Sequence, residues 1–428
     1  MELVRCGVSL DNCTNSDNLC SFYSDYPPCM GLRREKIDTF AIGMNEEQLE
    51  ILLSDEVRQA IHQNRGCDIE RVALSKHIPH AAVVATQLKY LKRAETKLPS
   101  YASAECIIPP RAFEQSSSEL SAYEKPLKGE QLLDLTCGLG VDSFALSRNF
   151  KRVVALERDP ILAAVTRENF HRLGVENIEV ICSSAEDYLH NCKEHFDWIF
   201  ADPDRRNSEG RKMVCLEECS PNILALMGDI ERCGHRLALK NSPMFDVAEA
   251  RRLFPDSLIE VVSLGDECKE VMIYTGAEEP TLAANSIGRG RVVFRESELH
   301  QEPNIEEFQG DKFRYLVIPD VALLKARLTI VHLSPHCYTT TQSGFAFATD
   351  KPEGILGRVE EILYIEPFNP KSLKRELKGK KAEILKRDFP LSIEEIRKRC
   401  QLKDGCDIRL VFTRIGGDFW TIWLKNKR

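Results

Sequence analysis

Residues 132–142 read LLDLTCGLGVD. An apolar run ends in an acid, Asp134, and the chain then passes through Gly138 and Gly140 before apolar residues resume. A strand that delivers a side-chain-free loop to its carboxyl end marks the ligand-binding edge of an open α/β sheet. For a dinucleotide the expected form is GxGxxG, whose third glycine permits close helix packing while the helix amino terminus holds the pyrophosphate. Here Ser143 stands at the third position, and Asp134 lies four residues before the first glycine, where a carboxylate would repel a pyrophosphate. An acid at that point suits a cationic ligand.

S-adenosylmethionine has that chemistry: a sulfonium, an α-ammonium group and no phosphate. Asp134 is expected to face its amino-acid end, directly or through water. Gly138 and Gly140 are expected to let the backbone approach it, since a Cβ would fill its space. Cys137 and Asp142, on the same loop, are candidate contacts. Glu157, 23 residues after Asp134 at the end of the next strand-like run, is placed to accept both ribose hydroxyls. Ser184, Ala185 and Asp187, at the end of the third run, are the candidates for the adenine.

Strand and helix patterns alternate on both sides of this loop. Strands are expected at Gln131–Thr136, Arg152–Leu156, Ile178–Cys182, Trp198–Ala201 and Arg236–Lys240, with helical stretches between them. Such alternation gives a parallel sheet covered on both faces. LIEVVSLG and KEVMIYTG follow too closely for a crossover helix, so they are expected to form an antiparallel hairpin at the sheet edge. Upstream, residues 1–44 are irregular, and their four cysteines lack the tight pairs that zinc sites use. Residues 45–109 are expected as a helical domain, with helical periodicity from Asn45 to about Lys97, and a Pro- and Ser-rich connector runs over residues 98–126. Beyond Gly276 come short strands, a helix near Val321 to Arg327 and a basic run from Lys371 to Arg387. YLVIPDVALLKARL and LYIEPFNPKSLKREL share a strand, proline, helix, basic-end order.

The chain has 428 residues and a formal charge of −8, which argues against coating nucleic acid along its whole length. The charge is nonetheless uneven: residues 351–428 hold 19 Lys or Arg against 12 Asp or Glu. Sixteen cysteines without a CxxC pair or an apolar leader read as reduced, cytoplasmic thiols. No apolar run is long enough to suggest a membrane span, and no metal site is expected.

With EQSSSELSAYEKP, LLDLTCGLGVDSFALS, ALERD, FADPDRR, LKNSP and ECKE in order, residues 110–276 resemble a class I S-adenosylmethionine-dependent methyltransferase. The whole is similar to RNA-methyltransferase-like proteins that carry a carboxy-terminal THUMP-like domain. The resemblance implies a Rossmann-like α/β sheet of seven strands ordered 3-2-1-4-5-7-6, strand 7 antiparallel. It also implies a ferredoxin-like α+β segment at 277–345 and a THUMP-like domain at 346–428. Cys137 departs from it, standing where such proteins often have glycine.

In this setting FADPDRR ends the fourth strand beside the methyl donor. Amino-methyltransferases place [DN]PP[YF] there; this chain has Asp202-Pro203-Asp204-Arg205 and so lacks the stacking ring. Asp202, Pro203 and Arg205 are the candidate catalytic residues, with Asp202 also beside the cofactor. Arg205 or Arg206 would stack on a base, pair with a phosphate, or simply pair with Asp204. Lys240 would reach a substrate phosphate or form a structural salt bridge. Gln115, Ser117 and Ser118 would contact the methionine end or cap a helix. Lys374 and Arg375, within the basic run, would meet RNA phosphates, with Phe368, Phe389 and Trp420 as apolar or stacking surface. The function so implied is methylation of a base in structured RNA, tRNA or rRNA. The alternatives are a protein or small-amine methyltransferase and a non-catalytic RNA-binding scaffold.

Overall fold

The computed structural model describes residues 44–204, 216–299 and 308–426. Cys6, Cys13, Cys20, Cys29, Arg205, Arg206 and Cys215 lie outside the described residues.

The described chain opens with helices α1 (Glu46–Leu53), α2 (Asp55–Gln63), α3 (Ile69–Ala73), α4 (Ala81–Lys97), α5 (Pro99–Ser103), α6 (Pro110–Gln115) and α7 (Glu119–Tyr123). Asn45 starts α1 with a capping box: its side chain accepts from Gln48 N while its own N–H donates to the Gln48 side chain. Val84, Leu88 and Leu91 fall at helical spacing and are buried along one face of α4. That face belongs to a core shared with Phe144, Leu162, Val165 and Phe170 of the following domain. Asn169 clips the connector to it, accepting from Ile107 N at 2.7 Å and donating to Ile107 O at 2.8 Å. Residues 45–109 thus form a cap continuous with the next domain's core.

The first sheet contains β1 (Gly129–Asp134), β2 (Phe150–Glu157), β3 (Ile178–Cys182), β4 (Trp198–Ala201), β5 (Leu237–Asn241), β6 (Ser257–Leu264), β7 (Glu267–Thr275), β8 (Thr281–Ile287) and β9 (Gly290–Arg295). Their order is β3-β2-β1-β4-β5-β7-β6-β8-β9. Strands β1 to β5 pair in parallel, and β7 lies antiparallel between β5 and β6. This is the seven-strand order that the resemblance implied. Helices α8 (Val141–Leu146), α9 (Pro160–Arg172), α10 (Ala185–Asn191), α11 (Ile223–Cys233) and α12 (Val247–Leu253) connect its strands.

Two findings correct the expected layout. The β6–β7 hairpin is not at the edge, because β8 pairs in parallel with β6 along seven residues and β9 closes the sheet beyond it. Leu282 through Ser286 are buried, so β8 has no polar face and shows none of the alternation by which a half-exposed strand is read. Residues 277–345, expected as one ferredoxin-like segment, are instead divided: β8 and β9 join the first sheet, and the remainder joins a second.

That second sheet contains β10 (Tyr315–Pro319), β11 (Tyr338–Thr339), β12 (Ala346–Ala348), β13 (Gly357–Pro367), β14 (Lys381–Lys386), β15 (Lys403–Asp404), β16 (Ile408–Ile415) and β17 (Asp418–Leu424), ordered β11-β12-β10-β13-β17-β16-β14-β15. Its helices are α13 (Val321–Ala326), α14 (Thr329–Leu333), α15 (Pro370–Leu377) and α16 (Ile393–Cys400). The two similar sequence stretches become β10–α13 and β13–α15. Strand β13 joins the halves of the sheet, pairing with β10 through residues 357–361 and with β17 through residues 362–367.

Asp320 fastens the two sheets together. It caps α13 through Ala322 N and accepts from Ser263 at 2.6 Å, Ser286 at 2.7 Å and Arg289 at 2.9 Å. Ser263 and Ser286 sit at the carboxyl ends of β6 and β8, the same edge at which β1, β4 and β5 end. The second sheet is therefore anchored on the ligand edge of the first.

Candidate active site

The loop from β1 to α8 takes left-handed turns at Gly138 (φ 57°) and Gly140 (φ 84°). The two glycines serve different ends. A Cβ on Gly138 would meet nothing nearer than Thr136 O at 4.0 Å, so that face of the loop is open to a ligand. A Cβ on Gly140 would lie 2.5 Å from the Phe170 ring and 2.9 Å from Thr166 Cγ2. Gly140 thus admits α9, and its expected role of yielding space to the ligand is corrected. The loop is pinned from outside: Thr166 Oγ1 donates to Gly138 O at 2.8 Å and Tyr101 Oη to Leu139 O at 3.1 Å.

Glu157 ends β2 beside the open face. Its Oε2 accepts from Gly138 N at 3.0 Å and its Oε1 from Asp159 N at 2.8 Å. Each carboxylate oxygen has a second lone pair, so two acceptor sites remain for a pair of hydroxyls. Burial raises the Glu157 carboxyl above its ordinary pKa, against the pull of those two N–H donors.

Asp134 turns inward rather than to the ligand. Its Oδ1 accepts from Thr136 N at 2.9 Å, its Oδ2 from Ser143 Oγ at 2.5 Å, and it is buried. Burial pushes its pKa up to about 7 although those hydrogen bonds pull the other way. Of the two expected contacts with the amino-acid end, direct or through water, the direct one is corrected: Asp134 supports the loop from beneath. Cys137 is likewise buried, and burial holds its thiol neutral, well above the usual range.

Next to this lies a buried chain of alternating charge. Lys125 Nζ stands 3.3 Å from Glu270 Oε1 and 2.7 Å from Asp142 Oδ1. Lys240 Nζ stands 3.6 Å from Asp142 Oδ2 and 2.6 Å from Asp202 Oδ2. Ser117 Oγ accepts from Lys240 at 2.7 Å and donates to Asp142 at 2.5 Å. Burial alone would raise the Asp142 pKa, but Lys125 and Lys240 outweigh it and hold the carboxyl low. Burial would lower Lys240, yet Asp202 and Asp142 outweigh it and hold the ammonium firmly charged. Lys240 is thus an internal partner of Asp202: of its two expected roles the structure shows the salt bridge, and its placement at a substrate phosphate is corrected. Asp142, expected at the cofactor, is a member of this chain.

Asp202 follows β4, with its N–H donating to Thr136 Oγ1 at 2.6 Å. Pro203 after it restricts the Asp202 backbone. Lys240 engages Oδ2, and among the described residues none donates to Oδ1. At the end of β3, Ser184 caps α10 and shares hydrogen bonds with Asp187, and Ala185 is buried behind them. Their polar side-chain atoms serve the helix cap. Ser118 similarly caps α7.

The structure therefore brings Gly138, Glu157 and Asp202 to the open face. Sequence reasoning missed Thr136, Thr166, Tyr101, Lys125 and Glu270. Lys125 carried no signal that separates it from Lys128, which also precedes the first strand, and nothing local names its partners. Lys374 and Arg375 are exposed on α15, in the second sheet's layer, away from the loop. Phe389 is buried against Phe368, Phe412 and Phe419, and Trp420 packs on Phe308. Phe389 is a core residue and offers no free stacking surface. Among the described residues no cluster of metal-ligating side chains occurs, and no helix is long and apolar enough to cross a membrane.

A loop whose first glycine leaves an open cradle, with the carboxylates of Glu157 and Asp202 at the neighbouring strand ends, fits S-adenosylmethionine better than a pyrophosphate. Gly138 would admit the cofactor to the backbone, Glu157 would hold its ribose, and Asp202 would lie beside its methyl group.

Fold and site define a class I S-adenosylmethionine-dependent methyltransferase. Known proteins agree. Residues 114–219 match the family described as Conserved hypothetical protein 95, and residues 357–426 the family described as THUMP domain-like. An uncharacterized S-adenosylmethionine-dependent methyltransferase from Mycobacterium tuberculosis is 26% identical over 340 residues, covering 76% of this chain and 90% of the relative. Ribosomal RNA small subunit methyltransferase J from Coxiella burnetii is 32% identical over 150 residues, covering 30% of this chain and 58% of the relative. A crystal structure of a candidate methyltransferase from Porphyromonas gingivalis W83 superposes with a TM-score of 0.76 and 24% identity, covering 90% of this chain and all of that one. The particular arrangement here is a methyltransferase sheet joined to a THUMP-like carboxy-terminal domain.

Proposed function

We propose that this methyltransferase acts in the cytoplasm on an amino group of a base in structured RNA, tRNA or rRNA. The observation that carries the reading is Asp202: Lys240 anchors one carboxylate oxygen at 2.6 Å, and among the described residues no donor takes the other. A carboxylate fixed at one oxygen presents the second as a directed acceptor for an amine N–H. Accepting that hydrogen bond turns the nitrogen lone pair toward the cofactor. Such alignment supplies most of the catalysis available to an in-line displacement. When bound, S-adenosylmethionine supplies an electrophilic methyl carbon; the N–C bond forms as the S–C bond breaks, the electron pair stays on sulfur, and the amine proton passes to solvent.

RNA as substrate is supported by the THUMP domain-like match and by the Coxiella relative, whose name places it on ribosomal RNA. It is supported also by α15 and the residue that caps it, where Lys371, Lys374, Arg375 and Lys378 are all exposed. Asp202→Ala is expected to keep its affinity for S-adenosylhomocysteine by calorimetry while losing methyl transfer to RNA; full turnover in that variant overturns the assignment. Nucleoside mass spectrometry of RNA from a deletion strain against its parent would name the base.

A further inference from the structure

A cavity of about 530 Å³ lies at the joint between the two sheets, lined by Leu324, Arg327, Gln342, Ser343, Arg387 and Asp388. Leu324 belongs to α13, which Asp320 fastens to the ligand edge, and Arg327 caps its end. The other four residues come from the second sheet's loops.

The charges do not balance there. Arg289 and Arg358 share Asp266, and Arg289 also holds Asp320, so those two arginines are matched by two aspartates. Arg327 and Arg387 remain, and among the described residues neither has a carboxylate within ion-pair distance. Arg387 donates only to carbonyls, Gly344 O at 3.4 Å and Pro319 O at 3.1 Å, and lies over the Phe345 ring at 5.0 Å. A guanidinium has five N–H donors, so most of them are free. Burial lowers the Arg387 pKa to about 10, with Arg358 pushing the same way and Asp388, Asp266 and Asp320 opposing without forming an ion pair. Asp388 is the acid in the lining, and both its oxygens are taken, by Thr341 Oγ1 at 2.7 Å and Ser343 Oγ at 2.8 Å.

Arg327 (φ 57°) and Asp388 (φ 52°) both adopt the left-handed conformation that glycine would take without strain. At Arg327 this is the ordinary C-terminal turn of α13, with its N–H donating to Leu323 O and Leu324 O, and it fixes where the side chain leaves the helix.

We infer that this joint cavity takes a backbone phosphate of the RNA substrate, gripped by Arg327 and Arg387; the inference rests on the RNA reading above. Planar guanidinium groups match phosphate oxygens in geometry as well as charge. The placement suits the reaction. Along the ligand edge β4 and β6 are separated by β5 and β7, three strand spacings of about 4.8 Å each, or about 14 Å. That is the rise of about four stacked nucleotides. A strand gripped at the joint would therefore run along the edge toward Asp202, with its direction set by the second domain.

The test is equilibrium binding of the full-length protein to small-subunit ribosomal RNA and to a tRNA pool, each across a salt series. Arg327→Gln is expected to weaken binding several-fold and to reduce the slope of log K against log salt by about 0.7 to 0.9, one phosphate contact. Arg327→Lys should recover most of that slope, and both variants should bind S-adenosylhomocysteine like the native chain. Native RNA binding with an unchanged slope in Arg327→Gln overturns the inference and leaves the RNA reading standing. If the native chain binds neither RNA, the reading and the inference fail together. Inorganic phosphate provides the separate arm: stabilisation against heat that is lost in Arg327→Gln would then reassign the cavity to a free phosphate ligand.

Discussion

The division of labour between Gly138 and Gly140 can be tested with the smallest available change, alanine at each. Both residues have positive φ, so an L-residue at either costs about 1–2 kcal/mol of backbone energy. There the likeness ends. At Gly140 the new methyl group would lie 2.5 Å from the Phe170 ring, inside van der Waals contact. Forcing extra volume into such a packed site adds about 1–3 kcal/mol. The expected loss is therefore about 1–2 kcal/mol for Gly138→Ala and about 2–5 kcal/mol for Gly140→Ala. For a domain of this size each kcal/mol lowers the unfolding midpoint by about 2–4 °C, so fluorimetric melting should resolve the two variants. Ligand affinity should rank them in the opposite sense. The Gly138 methyl group would enter the open face and is expected to weaken S-adenosylhomocysteine binding at least about tenfold in calorimetry, or about 1.4 kcal/mol. Gly138→Ala with native affinity, or with as large a loss of stability as Gly140→Ala, refutes the reasoning.

Asp134 makes stability depend on pH. Its folded pKa is pushed up to about 7 from an ordinary 3.8, so the folded chain keeps a proton that the unfolded chain has released. Its contribution is full below about pH 4, declines as pH rises from 4 to 7, and is flat above. Asp134→Asn should remove that decline from a series of melting curves; an identical pH dependence in the variant would contradict the burial argument. Lys125→Met would leave Asp142 and Glu270 buried without their shared cation, and is expected to cost about 3–5 kcal/mol in denaturant titration. A loss under 1 kcal/mol would show that water reaches the chain of charges. Lys374→Glu with Arg375→Glu should flatten the salt dependence of RNA binding and leave cofactor affinity alone. Substitution is the better probe here than truncation at residue 351, which would remove β13, the strand that β10 pairs with.

Much of the fold is legible without coordinates, because strand–helix alternation is a local pattern that repeats every few residues. The boundaries of β3 and β4 agree with it residue for residue. The misreading came at β8, where TLAANSI has small residues and no alternation because it is buried within the sheet. The site divides in the same way. The glycine loop, Glu157 and Asp202 announce themselves by spacing and by position at strand ends. The inward turn of Asp134 could not be read, since the side chains that hold it depend on how the loop folds back.

The sequence by itself determined a parallel sheet with a hairpin after the fifth strand, a glycine loop unsuited to pyrophosphate and an acid after the fourth strand. Tertiary structure alone decided that Lys240 serves Asp202 instead of a substrate, that Lys125 bridges Asp142 and Glu270, and that Arg327 meets Arg387 at one cavity. The physical reason is range. Hydrophobic periodicity is written into neighbouring residues, whereas the partner of a buried charge is whichever group the folded sheet brings within about 4 Å, from any distance along the chain.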